Sequence, residues 1–269
     1  MKTIVLPLLA LAGCATLAAA QPPPAASPAP TDFDIVVRAR QEQAIRAFVA
    51  SVTEAGRSGQ LARWNREICP AVIGIDESQA GFMALRIGAV AAPLELRVRT
   101  SGCLSTMLIV VTNDAAGLAT HFAHLYPVTL RTDGQAKLNL FAHTGRPVRW
   151  ISVTDLGGGV LPNSRLTRAT DPHFQAMLVI VDGRQIGGFS LGELSDYVAM
   201  VALANPRPGA RDPASILSMF DRPRPADGPF ALTRTDQSFL AGLYRMNPFQ
   251  SAQSQRESIA RHMRRNSSD

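Results

Sequence analysis

Aromatic residues are scarce in this chain of 269 residues: they make up 6% of it, with two tryptophans and three tyrosines. Basic residues are not interleaved with them, so the stacking platforms on which single-stranded nucleic acid is held are missing. Cysteine is nearly as rare, at three residues, which excludes a miniprotein held together by a disulfide framework. A chain of this length buries a core of its own. The longest apolar run, Ile4–Ala12, is too short to span a bilayer and lies at the N-terminus. The glycine run Gly157-Gly158-Gly159 is not followed by the Lys-Ser/Thr of a phosphate loop. Charged residues account for only 18%, of both signs and mostly placed singly, against 46% hydrophobic residues. That balance excludes wholesale disorder.

What is present begins with a leader. Met1-Lys2-Thr3 is a short cationic lead, Ile4–Ala12 an apolar stretch, and Ala18-Ala19-Ala20 a small-residue site before Gln21. This is the order of a secretory signal, and residues 1–20 are set aside from the fold. Two processing routes are open. Leu11-Ala12-Gly13-Cys14 resembles a bacterial lipobox, in which Cys14 is lipidated and becomes the first residue. Cleavage after Ala20 instead releases a soluble protein, removing Lys2 and no acid, so the formal charge of +6 becomes +5. Residues 21–31, with the tract QPPPAASPAP, suit either route as an extended tether. The expected location is the periplasm, or the outer membrane through a lipid anchor at Cys14. Cys69 and Cys103 remain as an even pair in an oxidising compartment, and most simply form one disulfide. It closes a loop of about 35 residues, worth about 3–4 kcal/mol in the chain-entropy description.

Residues 32–250 read as one domain and 251–269 as a basic C-terminal helix and tail. Phe33–Ala55 has helical spacing, with Ile35, Val36, Ile45, Phe48 and Val49 recurring. Cys69–Ile75 is a short strand-like run that begins on a proline. Ser78–Ala92 reads as a helix closed by Pro93, and Leu94–Arg99 alternates like a half-exposed strand. Met107–Thr112 reads as a buried strand, Ala115–Leu125 as a helix, and Trp150–Thr154 and Met177–Val181 as further strands. Ser190–Ala204 is an apolar helix with Leu191, Leu194, Val198 and Val201 on one face. After the turn-rich NPRPGARDP and the segment Ser215–Phe220 come helices over Thr233–Arg245 and Ser251–Arg265. The expected class is α/β (α+β): a mixed sheet with packed helices, followed by a helical C-terminal subdomain.

The most informative residues are Asp212–Leu217 (DPASIL) and Leu232–Tyr244 (LTRTDQSFLAGLY). Together they resemble the C-terminal region of the matrixin-type metzincins, zinc peptidases of the zincin class. That family has an Asp-Pro-x-x-hydrophobic-Met turn, then a helix of form Leu-[Ser/Thr]-x-x-Asp-x-x-x-[Ile/Leu]-x-x-Leu-Tyr. Leu232, Thr233, Asp236, Leu240, Leu243 and Tyr244 match the helix at each specified position. Leu217 stands where the turn has methionine, with Met219 close by. The resemblance implies a zincin-like mixed sheet and an active-site helix just upstream, with His-Glu-x-x-His-x-x-Gly-x-x-His. Aligning Glu193 with the family's glutamate puts Gly192, Asp196 and Ala202 at the three histidine positions and Ala199 at the glycine. Gly192 and Ala202 cannot ligate a metal, and a catalytic zinc needs three protein ligands and an open position. Without the ion, water beside Glu193 is not activated.

Each residue also has a plain structural role. Ser190-Leu191-Gly192-Glu193 is a capping box, and Thr233 with Asp236 forms another helix start. Gly188-Phe189-Ser190-Leu191-Gly192 has the literal form of a nucleophile elbow. Yet only His262 lies downstream of Ser190, and the segment after it lacks the strand–helix rhythm of that fold. His121 and His124 lie three apart on a helix, a spacing open to two metal ligands, but no nearby carboxylate or thiol completes a set. His143 and His173 stand alone. The expectation is therefore an exported envelope protein without metal or other cofactor, acting as a non-catalytic binding or structural module toward another protein or envelope component. The alternative is an active hydrolase using Ser190 or an atypical metal arrangement around Glu193, Asp196 and the histidines. Alkylation of the unfolded protein without reductant is expected to leave the mass of the peptides carrying Cys69 and Cys103 unchanged. Two added labels would reject the disulfide.

Overall fold

The computed structural model describes residues 32–158, 164, 167–223 and 230–266. The leader, Cys14, the tether up to residue 31, and Gly159 lie outside the described residues. Among those described are seven α-helices and four strands: α1 (Asp32–Val52), β1 (Pro70–Ile73), α2 (Glu77–Ala91), β2 (Met107–Thr112), α3 (Ala115–Leu125), α4 (Gln135–His143), β3 (Val148–Asp155), β4 (His173–Asp182), α5 (Leu191–Ala204), α6 (Arg234–Arg245) and α7 (Ala252–Asn266).

The strands form one open mixed sheet in the order β1-β2-β4-β3. β1, β2 and β4 run parallel, and β3 pairs antiparallel with β4 along one edge. Because side chains alternate across a strand, the apolar runs of β2 and β4 serve two cores at once. Met107, Ile109, Met177, Val179 and Val181 face the larger core, shared with α1, α2, α5, α6 and α7. Val110, Leu178 and Ile180 face the smaller core, with Ala115 and Ala119 of α3 and Leu138 and Phe141 of α4. The open edge of β3 is guarded. The Thr132 hydroxyl accepts the Thr154 N–H at 3.1 Å and donates to the Ser152 carbonyl at 3.4 Å, in the place of a neighbouring strand.

Cys69 and Cys103 are disulfide-bonded with Cα atoms 6.1 Å apart, tying the loop before β2 to the start of β1. β1 ends where it does because Gly74 adopts φ +88, and a Cβ there would lie 1.9 Å from the Val111 carbonyl oxygen of β2.

Two stretches depart from their sequence reading. Leu94–Arg99 is not a strand: a 3-10 turn, Ala92–Leu94, runs into a left-handed Glu95, and a single bridge pairs Val98 with Ile68. Pro93 removes a backbone donor there, and the charged positions have no strand to pair with. Conversely, Gln135–His143 is helical although its periodicity spans fewer than three turns. It earns its place through Leu138, Phe141 and Ala142, which close the smaller core. β4 runs longer than its apolar centre, starting at His173.

The terminal helix is rooted in the larger core through Ile259, Ala260 and Met263. Its approach to α6 is close enough that a Cβ on Gly242 would meet Ile259 backbone atoms at 3.2 and 3.3 Å. Alanine in a helix interior gains about 1 kcal/mol over glycine, while forcing apart a packed contact costs about 1–3 kcal/mol. Gly242→Ala is therefore expected to destabilise by about 1 kcal/mol. Gly81→Ala in α2, where a Cβ meets nothing within 4 Å, should instead stabilise by about as much. Denaturant midpoints of the two variants, moving in opposite directions, check the packing of α7.

Candidate functional site

Helix α5 carries the positions that the sequence singles out. Its first turn is closed by the expected capping box. The Ser190 Oγ accepts the Glu193 N–H at 3.3 Å, and Glu193 Oε2 accepts the Ser190 N–H at 2.6 Å. The other Glu193 oxygen, Oε1, accepts the Phe230 N–H at 2.9 Å. One turn on, Asp196 receives a two-pronged ion pair from Arg86 of α2, Nε to Oδ1 at 2.5 Å and Nη2 to Oδ2 at 3.0 Å. Its Oδ2 also accepts the Leu232 N–H at 3.1 Å. The side chain of Asp196 is 3% exposed and that of Arg86 45%. The bond and charge of Asp196 together hold the Arg86 guanidinium above its ordinary pKa.

From Glu193 to Leu203 every residue of α5 is buried, Ala199 and Ala202 completely, while Gly192 is half-buried. A helix submerged on all sides needs protein partners for its last carbonyls. The Trp64 indole N–H donates to the Ala202 carbonyl at 2.9 Å, and the Tyr244 hydroxyl donates to that of Leu203 at 2.7 Å. Asn205, left-handed at φ 45, then turns the chain away. Mid-helix, Tyr197 packs edge-on against Phe220 with ring centroids 4.8 Å apart. Burial pushes its hydroxyl up to about 12, against the pull of Arg146.

Beyond α5, the resemblance's second segment is built around Asp236. The Thr233 hydroxyl accepts the Asp236 N–H at 3.1 Å, and Asp236 Oδ2 accepts the Thr233 N–H at 3.0 Å. The same carboxylate reaches back to the Asp212–Leu217 turn, taking the Ser215 hydroxyl at 2.5 Å and the Ile216 N–H at 2.9 Å. Burial raises the Asp236 pKa, and these hydrogen bonds oppose the rise. Leu217 and Met219 are both buried in the core beneath α5.

The histidines are dispersed. His121, His124 and His143 line one open cleft of about 670 Å³ between α3 and the end of α4. Among the described residues, however, no three His, Cys, Asp or Glu side chains are grouped to hold a metal ion. His173 Nδ1 lies 3.0 Å from the Asp171 carbonyl, and His262 Nε2 lies 3.2 Å from the Asn266 amide on its own helix. Ser190 is exposed, but its Oγ serves the cap, and no histidine hydrogen-bonds to it among the described residues. No family model matches the chain, and no curated protein or solved structure is significantly similar to it.

Two features had little or no sequence signal. Arg86 is the one cation in the helix ESQAGFMALRIGAVA, a hint that it has a buried partner, though nothing names Asp196 as that partner. The second is a polar cluster beside β3. Asp133 Oδ2 accepts the Ser152 hydroxyl at 2.6 Å and that of Thr154 at 3.2 Å, with the buried Lys137 ammonium at 3.5 Å. Asn205 donates to Ser152 at 2.9 Å. The adjoining cavity, about 20 Å³, has no room for an organic substrate.

The Arg86–Asp196 pair is asymmetric, and so is the expected cost of breaking it. Arg86→Ala leaves a buried carboxylate facing one backbone N–H and should cost about 2–4 kcal/mol. Asp196→Asn leaves a half-exposed guanidinium that turns to water and should cost about 1 kcal/mol. Equilibrium unfolding of both variants tests this; equal costs would mean that the pair is not held as described.

Proposed function

We propose that the chain is an exported envelope protein that works without catalysis, as a binding or structural module on a zincin-like fold whose metal site has been given over to packing. One observation carries this reading: both carboxylates of the helix where the peptidase chemistry would reside are already committed. Glu193 is engaged by Ser190 and Phe230, and Asp196 by Arg86 and Leu232. The residues present do not fit a catalytic zinc. Gly192 has no side chain, Ala202 is a buried methyl, and Asp196 alone cannot supply three ligands.

The kinship part of the reading draws support from the order of parts. A mixed sheet leads through β4 into a capped helix, then into an Asp-Pro turn, then into a second capped helix whose Leu240 and Leu243 point inward. The bond from Asp236 back to the turn gives that order a physical reason, since one carboxylate fastens two segments about 20 residues apart in sequence. Export rests on the form of residues 1–20. No helix among the described residues is long and apolar enough to cross a membrane.

Metal analysis and active-site labelling test the proposal together. The purified chain is expected to carry no stoichiometric zinc and to leave a fluorophosphonate probe unreacted. One equivalent of zinc that disappears when Glu193, Asp196, His121 or His124 is changed would overturn it. Labelling at Ser190 would overturn it in favour of a serine hydrolase.

A further inference from the structure

Between α2 and α6 runs a groove of about 680 Å³. Its floor is aliphatic, formed by Val90, Leu94 and Leu240, and three arginines line it, Arg86, Arg234 and Arg245. Among the described residues, no carboxylate lines it. The charge of Arg86 is matched by Asp196. Arg234 and Arg245 are exposed, and their side chains make no ion pair or hydrogen bond among the described residues. Eleven residues apart on α6, they fall on one side of that helix, about 16 Å from each other along its axis. The groove thus has an unmatched cation toward each end and an apolar floor between.

That distribution selects an occupant. An amphiphile with one anionic head satisfies only one of the two arginines. A nucleic acid finds no aromatic or histidine side chain in the groove on which to stack a base. An extended peptide puts carboxylates four residues apart on one face and about 13 Å from each other. The reach of the glutamate and arginine side chains extends that separation to about 16 Å, and the residue between the two carboxylates on that face lays an apolar side chain on the floor. We infer that the α2–α6 groove is the docking site of an acidic, partly apolar segment of a partner protein, with carboxylates about four residues apart meeting Arg234 and Arg245. This rests on reading the chain as a binding module and adds the chemistry of what it binds. Rim charges of this kind act chiefly on encounter and specificity, so binding should be weak and sensitive to salt.

Fluorescence anisotropy with the purified chain tests it, using a labelled decapeptide with two glutamates four residues apart and leucine and alanine between them. Saturable binding is expected at low salt, weakened about tenfold or more by Arg234→Glu with Arg245→Glu. Arg57→Glu with Arg131→Glu makes the same charge change at exposed sites outside the groove and should leave binding within about twofold. A peptide with lysines for the glutamates should not bind. The inference is overturned by absence of binding, by equal weakening in both double variants, or by capture of phosphatidylglycerol vesicles in preference to the peptide. Failure here leaves the metal content and probe reactivity of the chain untouched, so the two readings stand or fall separately.

Discussion

The constraint on which the rest of the molecule depends is the complete burial of α5. A helix with water on one side can leave its polar atoms to solvent; one buried from Glu193 to Leu203 cannot. Several of the segments packed around it therefore bring a hydrogen-bond donor. Trp64 comes from the loop before β1, Arg86 from α2, Tyr244 from α6, and Phe230 and Leu232 bring backbone N–H groups. Each of these contacts is long-range, so satisfying one helix also fixes the positions of two others and of two loops. Dry carboxylates are costly, and the directional, charge-assisted bonds that offset the cost also leave little freedom in how the pieces meet.

Between α5 and α6 the described residues form only one short 3-10 turn, Ile216–Ser218, and buried carboxylates hold these segments in place. Glu193 and Asp196 grip residues 230 and 232, and Asp236 grips the turn at Ser215 and Ile216. In a metalloenzyme an ion could draw such segments together; here hydrogen bonds to acidic side chains do the equivalent work. The arrangement explains why a capping box and a catalytic motif look alike at Ser190–Glu193. One carboxylate, Glu193, answers to both patterns, and here its oxygens accept the Ser190 and Phe230 N–H groups.

Much of this was legible in the sequence because it is local. The boundaries of β2 and α3 follow from a continuous apolar run and from Asp114, whose side chain accepts the Gly117 N–H at 3.0 Å. Both capping boxes follow from spacings of three residues. The disulfide is expected from an even pair of cysteines outside residues 1–20 and from the export that the form of those residues implies. What escaped is non-local or short. Helix α4 has too few turns to show a period, and its buried Lys137 breaks the polar-outward pattern. Leu94–Arg99 alternates as a strand should, but alternation carries no information about whether a partner strand is there. The partner of Asp196 lies 110 residues upstream, and no pattern along the chain reaches that far.

Arg86 joins the two halves of the functional reading. One side of its guanidinium neutralises the carboxylate of α5; the other is half-exposed along the wall of the α2–α6 groove. Freeing Asp196 to take a metal would require moving Arg86, which would remove the carboxylate's present counter-charge and strip a cation from the groove at the same time. Opening the helix to chemistry and keeping the groove as it stands are thus mutually exclusive uses of one side chain. On the proposed reading, more than missing ligands would keep this helix from catalysis: the ion pair that closes the core also lines the surface on which a partner would settle.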